Sequence, residues 1–222
     1  VFSVATFGLS LFGLLYDWLF WVLLVAGGLL LWREVRDLGQ ALRSVSWPWP
    51  HDAWGLFLAA FVTVTLLLVL LLSLTPPIEW DALTYHLVGP DRYLQAHRIT
   101  YSFDNYYLFF PSFTEMLFTA GMVLKGDVIP SLIHFGYLLL TLGALAAFAQ
   151  RYWDRRLGLV AAALFLSIPT ALQIASWAYV DLTLTFYFFA AFYAIFNWIS
   201  TLSSSPEIKA SAAPASGWLV LT

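Results

Sequence analysis

The chain contains no cysteine, little charge, and no initiator methionine or basic leader at its start. Each absence excludes something. Without a thiol there is no disulfide, no zinc–thiolate site and no cysteine nucleophile. Charged residues make up 10% of the 222 positions, against about 25% in soluble domains, and 61% are hydrophobic. Water does not tolerate that much apolar surface; a bilayer does. The formal net charge of −3 argues against nucleic acid as a partner. Val1 opens no signal peptide, and Gly217–Thr222 reads as the first turn of another span. The expectation is an internal piece of a longer polytopic protein. No internal repeat is visible.

What is present is a series of apolar runs. Val1–Leu15 reads as the tail of a membrane helix and Tyr16–Asp17 as a polar turn. Trp18–Trp32 is the next run, with an earlier start that includes Asp17 as the alternative. Arg33, Arg36 and Arg43, with Leu38 and Leu42, fit a surface-lying amphipathic helix. The S-W-P-W-P-H-D run breaks it. Trp54–Leu74 is the clearest span, and Pro76–Pro77 ends it. Ser131–Gln150, Leu157–Ile174 (kinked near Pro169) and Leu182–Ile199 follow as further crossings. Ser200–Ser216 reads as a flexible linker. The predicted fold class is an all-α, polytopic transmembrane helix bundle. It has about five or six crossing or partial helices and a large outer loop that carries short surface helices. The 222 residues are taken as one transmembrane domain.

Basic residues set the expected orientation. Arg33, Arg36 and Arg43, then Arg151, Arg155 and Arg156, then Lys209, fall on one side, which the positive-inside rule makes cytoplasmic. Residues 76–130 and the S-W-A-Y-V-D turn before Leu182 then share the outer face. Tryptophans border both levels, with Trp80 and Trp177 on the outer one.

Residues 76–130 are the polar exception in the chain. They hold six acids (Glu79, Asp81, Asp91, Asp104, Glu115 and Asp127) together with His86, Arg92, His97, Arg98 and Lys125, among many tyrosines and phenylalanines. A helical pattern starts at Asp81, with Leu83 and Leu87 four apart, until Pro90 interrupts. Asp81 and Tyr85 are also four apart and share a face. Asp81 stands just past a proline-ended span, where it reads either as a helix N-cap or as a functional carboxylate. A D-x-x-D metal pair is absent, because Thr84 occupies the second position.

The segment E-W-D-A-L-T-Y-H after the proline end of a span, Pro90–Tyr93–Leu94, the aromatic run, P-S-F-T-E-M-L-F, and Asp181 in A-Y-V-D-L-T-L-T-F-Y resemble the first outer loop and a later span of GT-C class membrane glycosyltransferases. The likeness is to the bacterial branch similar to protein O-mannosyltransferases and lipid A aminoarabinose transferases. It extends over roughly Trp54–Ile199 by organisation. It implies a multi-pass protein of the bacterial plasma membrane. The enzyme would move a sugar from a polyprenyl-phosphate lipid to an acceptor hydroxyl, with an Asp of this loop as catalytic base. The partners implied are membrane lipid and the lipid-linked sugar. The chain departs from the pattern where Ala82, rather than a second acid, follows Asp81. That argues against a two-carboxylate metal arrangement there and leaves a divalent metal open as a cofactor. An internal piece of such an enzyme is expected to turn over nothing alone.

Such a transfer needs a base for the acceptor hydroxyl and positive charge for the departing phosphate. Asp81 is the expected catalytic base. Tyr85, His86, Arg92, Arg98, Glu115 and Asp181 are the expected substrate-binding residues. Each has an ordinary alternative: headgroup contact for His86 and the two arginines, helix capping for Glu115 and Asp181, and an interfacial belt for most of the rings. His134 reads as a satisfied interior histidine. The rival class is non-enzymatic, a transporter or a structural subunit. A transporter is expected to carry mid-bilayer charges, and the central thirds of these spans carry none.

Overall fold

The structure, a computed structural model, describes residues 2–44, 52–101 and 103–204. Among them there are ten α-helices, one π-helical turn and one 3-10 turn, and no strand. In chain order the helices are α1 (Phe2–Leu11), α2 (Asp17–Leu30), α3 (Trp32–Ser44), α4 (Ala53–Ser73), α5 (Val88–Gln95), α6 (Phe113–Lys125), α7 (Val128–Tyr152), α8 (Arg155–Leu166), α9 (Pro169–Ile174) and α10 (Asp181–Ser204). Three of these, α4, α7 and α10, are long and apolar enough to cross a membrane.

The long helices are fixed in register by polar contacts along their length. The His134 Nε2 accepts from the Leu182 N–H at 3.0 Å near the start of α7 and α10. The Tyr152 hydroxyl donates to Asn197 Oδ1 at 2.6 Å near their far ends. Tyr137 meets Tyr187 and Phe148 meets Tyr193 in between, so α7 and α10 run parallel. The chain must therefore return between them, and α8 and α9 make that return. A Cβ on Gly158 would lie 3.3 Å from the Ala146 backbone, so the missing side chain lets α8 and α7 cross closely. Val69 of α4 joins Leu138, Leu142, Ala162, Leu166 and Leu182 in the largest apolar cluster. Residues 134 to 152 of α7 rise about 27 Å at 1.5 Å each, close to the thickness of a hydrocarbon core of about 30 Å.

Three sequence readings change in detail. The run Leu157–Ile174 is broken rather than kinked. Ile168 precedes Pro169 and takes an extended backbone (φ −74°, ψ 113°), as clash with the proline ring requires, so α8 ends before it and α9 restarts at the proline. The apolar start of the chain is two short helices. α2 carries Asp17 in its first turn, where the carboxylate accepts from the Trp18 N–H at 2.7 Å; at about 21 Å it is shorter than a hydrocarbon core. The first residues of the expected 200–216 linker are helical. Ser200 and Thr201 return their hydroxyls to the carbonyls of Phe196 and Asn197, each at 2.8 Å, and α10 reaches Ser204. The rest of that linker, the S-W-P-W-P part of the 46–52 break and Gly217–Thr222 lie outside the described residues. The helix expected over Arg33–Arg43 forms as α3.

Between α4 and α7 the polar stretch folds as small helices. α6 buries Thr114, Glu115, Met116, Phe118, Thr119, Ala120 and Gly121 and packs on α1 and α7. α1 presents Ser3, Thr6 and Ser10 as its buried face; small side chains permit that close approach. The end of α5 is pinned to the α1–α2 turn. His97 stacks on Tyr16 at 4.2 Å, its Nδ1 lies 3.0 Å from the Leu15 carbonyl, and its own carbonyl accepts from the Leu15 N–H.

Candidate functional site

Pro76–Pro77 stops α4, and within a few residues the chain turns back into a helix at Trp80 and Asp81. The next five residues, Ala82–His86, form a π turn closed by Leu87 N–H to the Ala82 carbonyl at 2.9 Å. Pro90 accounts for the irregularity. It has no N–H to offer the His86 carbonyl four residues back, and in a regular helix its ring would clash there. The wider turn leaves the Thr84 carbonyl for a partner outside the helix, and Asn105 Nδ2 supplies it at 2.7 Å. The Asn105 Oδ1 accepts from Tyr107 N–H at 3.2 Å. One amide thus locks the 3-10 turn Tyr106–Phe109 onto the π turn.

Asp81 sits at the head of this turn with helical backbone angles, and its side chain makes no capping hydrogen bond. Its carboxylate is turned toward phenols instead. Burial, then the Asp81 charge and a hydrogen bond to that carboxylate, push the Tyr85 phenol up to about 12, with Tyr179 and Asp181 adding to the rise. Tyr179 is raised as well, by burial and then by Asp81, with Glu79 and Asp181 contributing; the Asp81 backbone N–H opposes the rise. Tyr107 stacks on Tyr85 with centroids 5.0 Å apart, and Asp81 also raises it, behind its Tyr106 partner and burial. Asp81 is a contributor shared by all three, because a like charge disfavours a second anion nearby. Asp81 and Asp181 are 100 residues apart in sequence and act on the same two phenols. Asp181 is exposed in the first turn of α10, where a carboxylate suits the helix dipole.

Beneath this cluster lies a buried pair. His86 Nδ1 is 2.8 Å from Glu115 Oε1, with side chains 5% and 12% exposed. A carboxylate accepts only, so Nδ1 carries the proton, an assignment made from the pairing. The His86 ring is tilted against Tyr85 at 4.1 Å and Tyr179 at 5.4 Å, which ties the pair to the phenols that face Asp81. Glu115 Oε2 is buried without a hydrogen-bond partner. It borders a cavity of about 10 Å³ lined also by Tyr85, Tyr93 and Ser112, room for about one water. Burial and the Glu115 charge raise the Tyr93 phenol.

Of the residues expected from sequence, Tyr85, His86 and Glu115 come together, with Asp81 beside Tyr85; Asp181 reaches them only as a charge that adds to the rise of Tyr85 and Tyr179. Glu115 is not a cap; it is the partner of His86. Arg92 stands apart in a two-pronged ion pair with Asp104, at 3.0 and 2.9 Å, which raises the guanidinium through that hydrogen bond. Asp104 is exposed, as expected of a loop carboxylate, but it is paired. Arg98 is exposed at the end of α5, where its N–H closes on the Tyr93 carbonyl. Sequence reasoning did not single out Tyr179, Tyr107 or Asn105 as site residues. Tyr179 was within reach of it, two positions before Asp181. For the divalent ion left open above, the described residues supply no group of three His or carboxylate side chains. No protein-family profile, curated protein or solved structure matches this chain.

Proposed function

We propose that this chain is the catalytic membrane portion of a GT-C type glycosyltransferase of the bacterial plasma membrane. It moves a sugar from a polyprenyl-phosphate donor to an acceptor hydroxyl at the outer face. The observation that supports the reading best is that Asp81 and Asp181, from distant segments, both bear on the Tyr85 and Tyr179 phenols, Asp81 the more strongly. Asp81 follows the end of apolar helix α4 and Asp181 opens apolar helix α10.

In this reading Asp81 is the general base. Its carboxylate takes the proton of the acceptor hydroxyl as that oxygen bonds to the anomeric carbon. The bond from that carbon to the phosphate oxygen breaks, and its electron pair leaves on the phosphate. Tyr85 and Tyr179 hold Asp81 in place and stay protonated, as their raised values require. The His86–Glu115 pair fixes the floor under Tyr85. Arg98 is the cation left for the phosphate, since Asp104 already meets the charge of Arg92.

The test is Asp81→Asn in the full-length protein. It keeps the size of the side chain and removes its basicity. Transfer from a polyprenyl-phosphate sugar is expected to fall about 10²–10⁴-fold, the usual worth of a general base, with an unchanged melting curve. Near-normal transfer would put the base elsewhere, loss only through unfolding would make Asp81 structural, and no transfer by the parent protein would return the chain to the non-enzymatic reading.

A further inference from the structure

The segment after α5 exposes an unusual amount of aromatic surface. Phe103 is 93% exposed, and Tyr106, Phe109, Phe110 and Phe113 are each more than half exposed. These rings meet in pairs rather than standing alone. Phe103 meets Phe109 at 6.4 Å, and Tyr106 meets Phe110 at 6.4 Å. Soluble surfaces rarely carry contiguous apolar patches of this kind, and those that do mark a binding face.

Two observations identify the partner as lipid. The first is depth. Phe113 packs edge-on against Tyr187 at 6.5 Å. Tyr187 lies six residues into α10, about 9 Å along the helix from its Asp181 end. The Phe113 end of the aromatic stretch therefore lies beside an apolar helix already long enough to cross a membrane, next to that helix's own exposed face of Leu184, Tyr187 and Phe188. The second is charge. Asp104 is the sole charged residue between positions 99 and 114, and Arg92 meets it with two hydrogen bonds. The backbone of the turn is also provided for, since Asn105 pairs both the Thr84 carbonyl and the Tyr107 N–H. An exposed but paired carboxylate beside outward-facing rings suits the boundary between headgroups and acyl chains.

We propose that the aromatic face of residues 103–113 is inserted among the acyl chains of the leaflet on the Asp81 side, with the bilayer itself as its partner. This rests on the apolar helices spanning a membrane and not on the transferase activity. The insertion forms a lateral wall between the lipid and the Asp81–Tyr85–Tyr179 cluster, because Tyr106 and Phe110 back directly onto Tyr107, which stacks on Tyr85.

These 222 residues hold no cysteine, so they add no background to single-site labelling. Phe103→Cys, Phe109→Cys and Phe110→Cys would each carry a nitroxide in the full-length protein, with any cysteine outside these residues replaced by serine, in phosphatidylethanolamine–phosphatidylglycerol nanodiscs. Phe188→Cys on α10 is the lipid-facing reference and a free nitroxide in buffer the aqueous one. Labels at the three loop sites are expected to relax several-fold more with oxygen than with a water-soluble nickel chelate, as at Phe188. A nickel response like that of the free label overturns the proposal. So does shielding from both reagents, which would mean that protein covers this face. Three sites guard against one variant failing to fold.

Discussion

Replacing His86 by leucine would strand the Glu115 carboxylate. The pair lies 2.8 Å apart with side chains 5% and 12% exposed, and Glu115 Oε2 already lacks a partner. Leaving a buried carboxylate without its donor costs about 3 kcal/mol, the upper end for a hydrogen bond to a charged group; the adjoining cavity, with room for about one water, keeps the loss from rising further. Glu115→Met removes the charged partner instead and leaves a neutral imidazole N–H unpaired, at about 1–3 kcal/mol. His86→Leu with Glu115→Met together leaves no stranded polar group and nearly conserves volume, so it should stay within about 1.5 kcal/mol of the parent. At about 2–4 °C per kcal/mol for a chain of this size, His86→Leu should lower the melting temperature by about 6–12 °C. The double variant should recover most of that loss. Tryptophan fluorescence melts of the four proteins in one detergent would measure the cycle. Additive losses in the double variant, or a His86→Leu cost below that of Glu115→Met, would show that the buried contact is not what holds the π turn to α6.

Two further perturbations test the packing around the site. Gly121→Ala places a Cβ 2.6 Å from Ile129 Cγ2 on α7 and should cost about 1–3 kcal/mol by overpacking; a melting curve should show Ile129→Ala restoring at least half of it. Asn105→Ala removes both hydrogen bonds that join the 3-10 turn to the π turn. It should destabilise the chain by about 1–2 kcal/mol and speed amide exchange in residues 105–110 while leaving α7 unchanged.

The long helices were legible because their signal is local. Trp54–Leu74, Ser131–Gln150 and Leu182–Ile199 were predicted within a few residues of α4, α7 and α10, since an uncharged apolar run needs no tertiary information. The polar stretch was legible only as an inventory. Asp81 and Tyr85 share a face by spacing alone, and they do interact. The partnership of His86 with Glu115 spans 29 positions and depends on α6 packing against α1 and α7, where Gly121 lets Ile129 approach. No periodicity reports that. Arg92 was read as a phosphate or headgroup contact; the loop folds back and pairs it with Asp104, twelve residues on, which no local pattern reports. The reading of Leu157–Ile174 as one helix failed for a local reason that was available. The position before a proline avoids the helical region, and Ile168 obeys the rule.

The π turn explains why one short segment can serve both the surface and the core. In a regular helix the residue four positions on shares the face of the first, and the fifth points well away from it. An i→i+5 turn is wider, so positions i+4 and i+5 straddle the direction of the first residue. Tyr85 and His86 stand in those two places relative to Asp81. Tyr85 can therefore meet the Asp81 carboxylate while His86, its ring only 4.1 Å away, reaches inward to Glu115. Pro90 gives the turn its reason to widen, since the His86 carbonyl has no donor to gain from a regular register. Asn105 then compensates the Thr84 carbonyl that the widening frees. The aromatic loop, the carboxylate and the buried pair are thus coupled through five residues of irregular helix. A change that restored regular helix there would separate Asp81 from the His86 floor even if every side chain were kept.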